Sequence, residues 1–451
     1  MKKINLGSAH HVHFIGIGGI SMSGLAEVLL QDGYLVTGSD RTATAVTERL
    51  QQVGVQVSFP NAAENITDSI DMVVYTAAVK KDNPEYIAAG IKGKPLIERS
   101  ELLGMILKGY SNAVCIAGTH GKTSTTSLLA EIMINAGLDP TVSIGGHMKK
   151  SGANYRVGSS EYFLLEACEY SNSYHHWHPL VGTILNIDAD HLDFFRDEEG
   201  VIKSFRKFAE NVTGHLVIQK DTLGFEYVTR DLKCNVVTFG IKDADFWANN
   251  VEGSSFDVMN GDSLLTRINF PLPGEYNMLN ALAAFAAAYM LGVSAESIAA
   301  SLQEVKGVKR RFEHKGMYNG TVIIDDYAHH PTEIRECLAA VKKDVQKKLY
   351  CIFQPHTYTR TRNHFNDFCA AFSDADHIML LPIYAAREKF DPTISSRDLE
   401  HGIRQNGGDV IHLENFAEAK EYLQKILSPG DVLITMGAGD VYFVGEALFF
   451  S

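Results

Sequence analysis

Residues Cys115 to Thr125 read CIAGTHGKTST, and their types and spacing suit the holding and transfer of a phosphoryl group. Gly118 and Gly121 bracket a turn between the apolar strand AVCIAGT and the helix KTSTTSLLAEIMINAG. Such a turn aims backbone N–H groups and a helix N-terminus at one anion. Thr119, His120 and Ser124 complete the loop. Lys122 adds a charge that reaches terminal phosphates, and the Thr123 hydroxyl is placed to ligate Mg²⁺. The common phosphate-loop pattern puts its first glycine at position 116, where Ile116 stands, so this loop is a variant.

Four other stretches carry chemistry. Glu166 and Glu169 end one strand, and Asp188, Asp190 and His191 follow the next. Carboxylates with an imidazole there are candidate Mg²⁺ or Mn²⁺ ligands. The imidazoles of His175, His176 and His178 read as a surface loop. In DDYAHHPTEI, Asp326, His329 and His330 cluster at a strand end as candidate acid–base or substrate groups. In FQPHTYTRTR, Arg360 and Arg362 can clamp a carboxylate or phosphate. The N-terminal turn GIGGISMSG, with Gly16, Gly18 and Gly19, opens a helix, and Asp40 ends the next strand. That turn fits a dinucleotide or another diphosphate, although Ser21 occupies the third glycine position of G-x-G-x-x-G.

Short apolar strands alternate with helix-length segments along most of the chain, which predicts α/β architecture with mostly parallel sheets. The pattern divides into 1–108, 109–307 and 308–451. Residues 236–274 instead read as antiparallel strands, and ALAAFAAAYMLGV reads as a buried helix. A helix is expected over 362–372. At 451 residues the chain is long enough for several domains, and 45% hydrophobic with 21% charged residues is a soluble composition. A net charge of −13 without long runs of one sign argues against nucleic acid or an anionic membrane surface as partner. No apolar run reaches bilayer-spanning length, and the six cysteines include no C-x-x-C pair, so a cytoplasmic protein with reduced thiols is expected.

The order of these motifs resembles the Mur ligase family of ATP-dependent amide-bond-forming enzymes, whose phosphate loop is a G-T-x-G-K-[ST] variant, as GTHGKT is here. The resemblance covers the whole chain. HFIGIGGISMSGLAEVL, NIDADHLD, GVKRRFE, DDYAHHPTEI and FQPHTYTRTR match its alanine-adding members in the same order. Three domains are thereby implied: an N-terminal Rossmann-like UDP-binding domain, a central ATPase domain with a small antiparallel sheet, and a C-terminal Rossmann-like domain. The implied reaction joins L-alanine to the lactoyl carboxylate of UDP-N-acetylmuramate through an acyl phosphate, with ATP and Mg²⁺ (or Mn²⁺). Gly118 to Ser124, Asn277, Asn280 and Arg311 would hold ATP. Thr123, Glu166 and His191 would hold the metal. Gly16, Gly18, Gly19, Ser39, Asp40, Thr76 and His120 would hold the UDP-sugar. Lys122, Arg360 and His329 or His330, with Asp326 as orienter, would carry the chemistry. A monomer or weak homodimer is implied, without membrane insertion. Two positions depart from the family pattern: Tyr276 replaces a frequent His, and Thr357 a frequent Arg. A tripeptide-adding ligase is the nearest competing reading, and an NAD-dependent oxidoreductase a remote one.

Overall fold

The computed structural model describes residues 4–76, 78–146, 154–190, 192–305, 307–386 and 388–449. The expected metal ligand His191 therefore lies outside the described residues. Three sheets follow one another along the chain. The first contains β1 (His11–Ile15), β2 (Leu35–Ser39), β3 (Gln56–Ser58), β4 (Met72–Tyr75) and β5 (Leu96–Glu98), all parallel, in the order β3-β2-β1-β4-β5. The order reverses between β1 and β4. The loops after these strands therefore open a crevice at their carboxyl ends, where ligands bind in sheets of this kind.

The second sheet has ten strands: β6 (Asn112–Ala117), β7 (Thr141–Ser143), β8 (Tyr155–Arg156), β9 (Tyr162–Glu166), β10 (Val181–Ile184), β11 (His215–Gln219), β12 (Asn235–Gly240), β13 (Phe246–Glu252), β14 (Ser255–Asn260) and β15 (Ser263–Asn269). Its order is β15-β14-β13-β12-β11-β10-β6-β9-β7-β8. Of the antiparallel strands expected over 236–274, only β13–β15 from Phe246 onward are antiparallel; the start of the stretch is β12, parallel to both neighbours, and no separate small sheet forms. Phe239 pairs with Phe246 and Gly240 with Trp247, so the ribbon extends the main sheet and covers the edge that β12 would expose. Helix Glu275–Met290 is buried along Ala281–Ala288, as its apolar sequence predicts. Its small side chains let it pack closely against the helix Lys122–Asn135 that follows the phosphate loop.

The third sheet contains β16 (Glu313–Tyr318), β17 (Thr321–Asp326), β18 (Leu349–Phe353), β19 (His377–Leu380), β20 (Val410–His412) and β21 (Val432–Met436), in the order β16-β17-β21-β18-β19-β20. Only β16 is antiparallel to its neighbour. The helix expected over 362–372 is instead two short helices, Tyr358–Asn363 and Phe365–Ala370, broken at His364. The first starts early because the Thr357 side chain caps it, accepting from Arg360 N at 3.4 Å. All six cysteines are free. Among the described residues no helix is long and apolar enough to cross a membrane.

Candidate active site

Strand β6 runs into the phosphate loop, and the loop is glycine-dependent at two points. Gly118 has φ +140°, and a Cβ there would sit 2.9 Å from Leu185 Cβ. Gly121 caps the helix at φ +80°, and its Cβ would meet Asn280 Oδ1 at 2.3 Å. Any other residue is both strained and blocked there. Lys122 folds back over the loop. Its Nζ donates to Gly118 O (2.5 Å), Thr119 O (2.9 Å) and Glu169 Oε2 (2.9 Å). Burial opposes the lysine's charge, but Glu169 and Cys168 beside it outweigh this and raise its pKa.

Thr123 Oγ1 donates to both oxygens of Glu166, at 3.0 and 2.9 Å, and Glu166 Oε2 also accepts from Gly145 N at 2.7 Å. β6 and β9 are adjacent and parallel, so their carboxyl ends bring this hydroxyl and carboxylate together. Two hard oxygen donors beside a phosphate cradle suit Mg²⁺. The other carboxylates read as possible ligands are otherwise engaged. Glu169 pairs with Lys122, Asp188 with His120, and Asp190 with Arg360.

A cavity of about 220 Å³ opens between the loop, helix Glu275–Met290 and the C-terminal sheet. Gly121, Ser124, Asn277, Asn280, Arg311 and Asp326 line it. Asn277 Nδ2 donates to Pro273 O at 2.7 Å, and Asn280 Oδ1 accepts from Thr125 Oγ1 at 3.1 Å, which fixes both amides at the wall. The cavity thus gathers the residues expected around the base and ribose of a nucleotide.

Asp326 differs from expectation. Its carboxylate accepts from the backbone N–H groups of Phe312 and Ala328, both at 2.7 Å, and orients neither imidazole. Burial raises its pKa to about 6. The carboxylate beside His329 belongs to Glu333, which Asp326 cannot replace because its oxygens are already committed to the turn. Glu333 Oε2 accepts from His329 N (3.0 Å) and His330 N (3.3 Å). Its signal in the sequence is a helix cap. Glu333 is the third residue of the helix that His330 caps, and the two form a capping box.

Burial holds His329 neutral, with its pKa lowered to about 3. His330 is lowered to about 4 for the same reason. The phosphate-loop residue His120 behaves oppositely. Its Nε2 lies 3.0 Å from Asp188 Oδ2 and its Nδ1 3.1 Å from Glu333 Oε1. Burial disfavours its charge, but the bonds to Asp188 and Glu333 outweigh that and hold its pKa at about 10. His120 therefore faces the C-terminal domain through Glu333. Arg360 Nη1 contacts His356 Nδ1 at 3.2 Å, and Arg360 Nη2 lies 3.5 Å from Asp190 Oδ1. Arg362 pairs with Asp391 on the surface. Thr357, in place of the frequent arginine, has φ +67°, rare for a β-branched residue.

The second glycine turn lies in the crevice between β1 and β4. Gly16 has φ +78°, and Gly16 N and Ile17 N donate to Ser39 O at 2.8 and 2.9 Å. Gly18 N donates to Asp40 Oδ2 at 2.8 Å. Ser39 Oγ donates to the buried Glu85 Oε2 at 2.5 Å, Gly19 caps the helix that the turn opens, and Thr76 follows β4. Arg99 Nη1 donates to Ser21 Oγ at 2.9 Å, which brings a cation to the turn that no sequence motif announced. Of the histidines after β9, His176 and His178 are exposed, whereas His175 is half-buried and donates to Ser204 O at 3.0 Å.

A phosphate loop with oxygen ligands on one sheet, facing imidazoles and an arginine on another, defines a multidomain nucleotide-dependent enzyme. The chain belongs to the Mur ligase family. Residues 11–111 match its "Mur ligase family, catalytic domain", 116–288 its middle domain, and 310–439 its glutamate ligase domain. The chain is 46% identical to the UDP-N-acetylmuramate–L-alanine ligase of Lachnospira eligens, covering 99% of this chain and 100% of that one. It is also 46% identical to the enzyme of the same name from Acetivibrio thermocellus, covering 97% and 95%. The solved UDP-N-acetylmuramate-alanine ligase MurC of Thermotoga maritima superposes with a TM-score of 0.79 at 27% identity, covering 98% of each chain. A murein peptide ligase of Psychrobacter arcticus shares the fold, with a TM-score of 0.69 at 24% identity and 98% coverage of each chain.

Proposed function

We propose that this enzyme joins L-alanine to the lactoyl carboxylate of UDP-N-acetylmuramate at the expense of ATP, a step of peptidoglycan precursor synthesis in the cytoplasm. The observation that carries the reading is the facing pair of clusters: Lys122, Thr123 and Glu166 on the central sheet, and neutral His329 with Arg360 on the C-terminal one. The full-length likeness to ligases of that name supports the choice of substrates.

A carboxylate resists attack by an amine because its charge repels the nucleophile and oxide is a poor leaving group. Transfer of the γ-phosphoryl of ATP to that carboxylate gives an acyl phosphate. The neutral amine of alanine then attacks, and phosphate leaves. Lys122 moves from Glu169 to the phosphates and stabilises the charge developing on the transferred group. Thr123 and Glu166 would hold Mg²⁺, which would screen the phosphates from the incoming carboxylate. His329, neutral at pH 7, accepts the proton lost from the amine. Arg360 binds a substrate carboxylate in place of Asp190. The turn at Gly16–Gly19 holds the diphosphate of the sugar nucleotide, with Asp40 beside the uridine. The test is phosphate release from ATP and UDP-N-acetylmuramate with L-alanine, glycine, L-serine or a tripeptide in turn. L-Alanine should give the fastest turnover, and turnover with the tripeptide alone would overturn the substrate assignment.

A further inference from the structure

One carboxylate touches both halves of the site. Glu333 Oε1 accepts a hydrogen bond from His120 Nδ1, 3.1 Å away, at the tip of the phosphate loop. Glu333 Oε2 takes His329 N at 3.0 Å and lies 3.3 Å from His329 Nδ1. That same Nδ1 donates to Tyr327 O at 3.0 Å. A backbone carbonyl only accepts, so the proton of neutral His329 sits on Nδ1, and Nε2 is left as the basic atom.

The His120 side of the contact is equally constrained. Its other nitrogen meets Asp188 Oδ2 at 3.0 Å, and Asp188 Oδ2 also accepts from Thr332 Oγ1 at 3.0 Å. Two ionised carboxylates on one imidazole require both ring nitrogens to donate, so His120 is a cation here. The carboxylates bonded to it are Asp188 from the central domain and Glu333 from the C-terminal helix Pro331–Lys342, with Glu336 of the same helix also near and the neutral His330 ring tilted against it at 4.8 Å. His120 is followed directly by Gly121 and Lys122. Its position therefore fixes the loop that carries the phosphates.

We propose that Glu333 is a positioning residue that couples docking of the C-terminal domain to the phosphate loop: through His120 it registers the loop, and through His329 it sets the base in the same movement. The inference rests on the ligase reading above. It implies that the base is brought up to the phosphate loop only when His120 is paired across the domain boundary, so the acyl phosphate forms only in a site already closed to water.

The test is a double-mutant cycle in the full chain with Glu333→Gln, His120→Gln and both together. Three quantities are read: kcat for ADP formation, Kd for UDP-N-acetylmuramate, and compaction with a non-hydrolysable ATP analogue by small-angle scattering. Glu333→Gln should lower kcat by about tenfold or more, abolish the compaction and leave the sugar-nucleotide Kd unchanged. The double variant should be no worse than Glu333→Gln. Multiplying single effects, or compaction retained in both single variants, overturns the proposal. Should Glu333→Gln not fold, His120→Gln decides alone, because it leaves the bonds from Glu333 to His329 and His330 in place, and compaction like that of the wild type then refutes the coupling. Wild-type chain that compacts but releases no phosphate would refute the ligase reading and leave the coupling standing.

Discussion

The two glycine turns have the same local design and opposite electrostatics. Each joins a buried parallel strand to a helix and needs glycine at positive φ, at Gly16 in one and at Gly118 and Gly121 in the other. The N-terminal turn meets one carboxylate on its own backbone, Asp40 on Gly18 N, and one arginine, Arg99, on Ser21. The phosphate loop is instead surrounded by matched charges and donors: Lys122 with Glu169, Thr123 with Glu166, and His120 with Asp188 and Glu333. Holding a diphosphate needs only preformed donors. Moving a phosphoryl group needs charge that can be redeployed as bonds break, and paired groups at a domain boundary supply it.

The sharpest way to break this comparison is Lys122→Ala. ADP formation should fall by roughly a thousandfold, while affinity for the UDP-sugar, which we propose the other turn holds, stays within about twofold. Equal losses in both would mean that the two turns do not divide the work. Glu166→Ala comes next. The Mg²⁺ concentration for half-maximal rate should rise about ten- to a hundredfold, and an unchanged requirement would remove Glu166 from the metal site.

The glycines themselves test the shared half of the design. Gly121→Ala combines φ +80° with a Cβ placed 2.3 Å from Asn280 Oδ1. It should cost about 1–3 kcal/mol, read as weaker ATP binding by calorimetry. At Gly18 a Cβ would meet Asp40 Oδ2 at 2.7 Å and Thr47 Cγ2 at 2.9 Å without positive φ. The Asp40 carboxylate can swing away at the expense of its bond to Gly18 N. Gly18→Ala should therefore weaken UDP-sugar binding by about tenfold and leave ATP affinity alone. If ATP binding weakens as well, the turns are not independent.

What was legible in the sequence was whatever is encoded locally. The strand–glycine–helix units, the buried helix over Ala281–Ala288 and the convergence of Thr123 with Glu166 follow from motif spacing and from ligands gathering at strand ends. Pairings across domains were not legible. His120 and Glu333 are 213 positions apart, and Glu333 reads as an ordinary capping residue until the helix it caps is docked. Asp326 is close to the histidines in sequence but orients neither. Its oxygens turn back to Phe312 and Ala328. Arg99 and Glu85 carry no motif at all, since each is defined by a partner on another element.

The last expected effect concerns pH, and it separates the C-terminal imidazoles from His120 by sign. Burial lowers His329 to about 3, and His330 and His356 to about 4. The unfolded chain protonates all three near 6.5. Below that pH the unfolded state binds more protons, so stability falls on acidification. His120 works the other way. With a folded pKa of about 10, its contribution is fully present below pH 6.5 and lost as pH rises through 10. The melting temperature should therefore decline from pH 6.5 to 5, with each neutral imidazole contributing up to about 1.4 kcal/mol per pH unit. His356→Asn should flatten that decline. His11, on β1 in the N-terminal domain, is also lowered by burial, but without a large shift. His11→Asn should accordingly flatten the decline less. A larger effect at His11 than at His356 would place the acid-sensitive burial in the N-terminal domain instead of the C-terminal one.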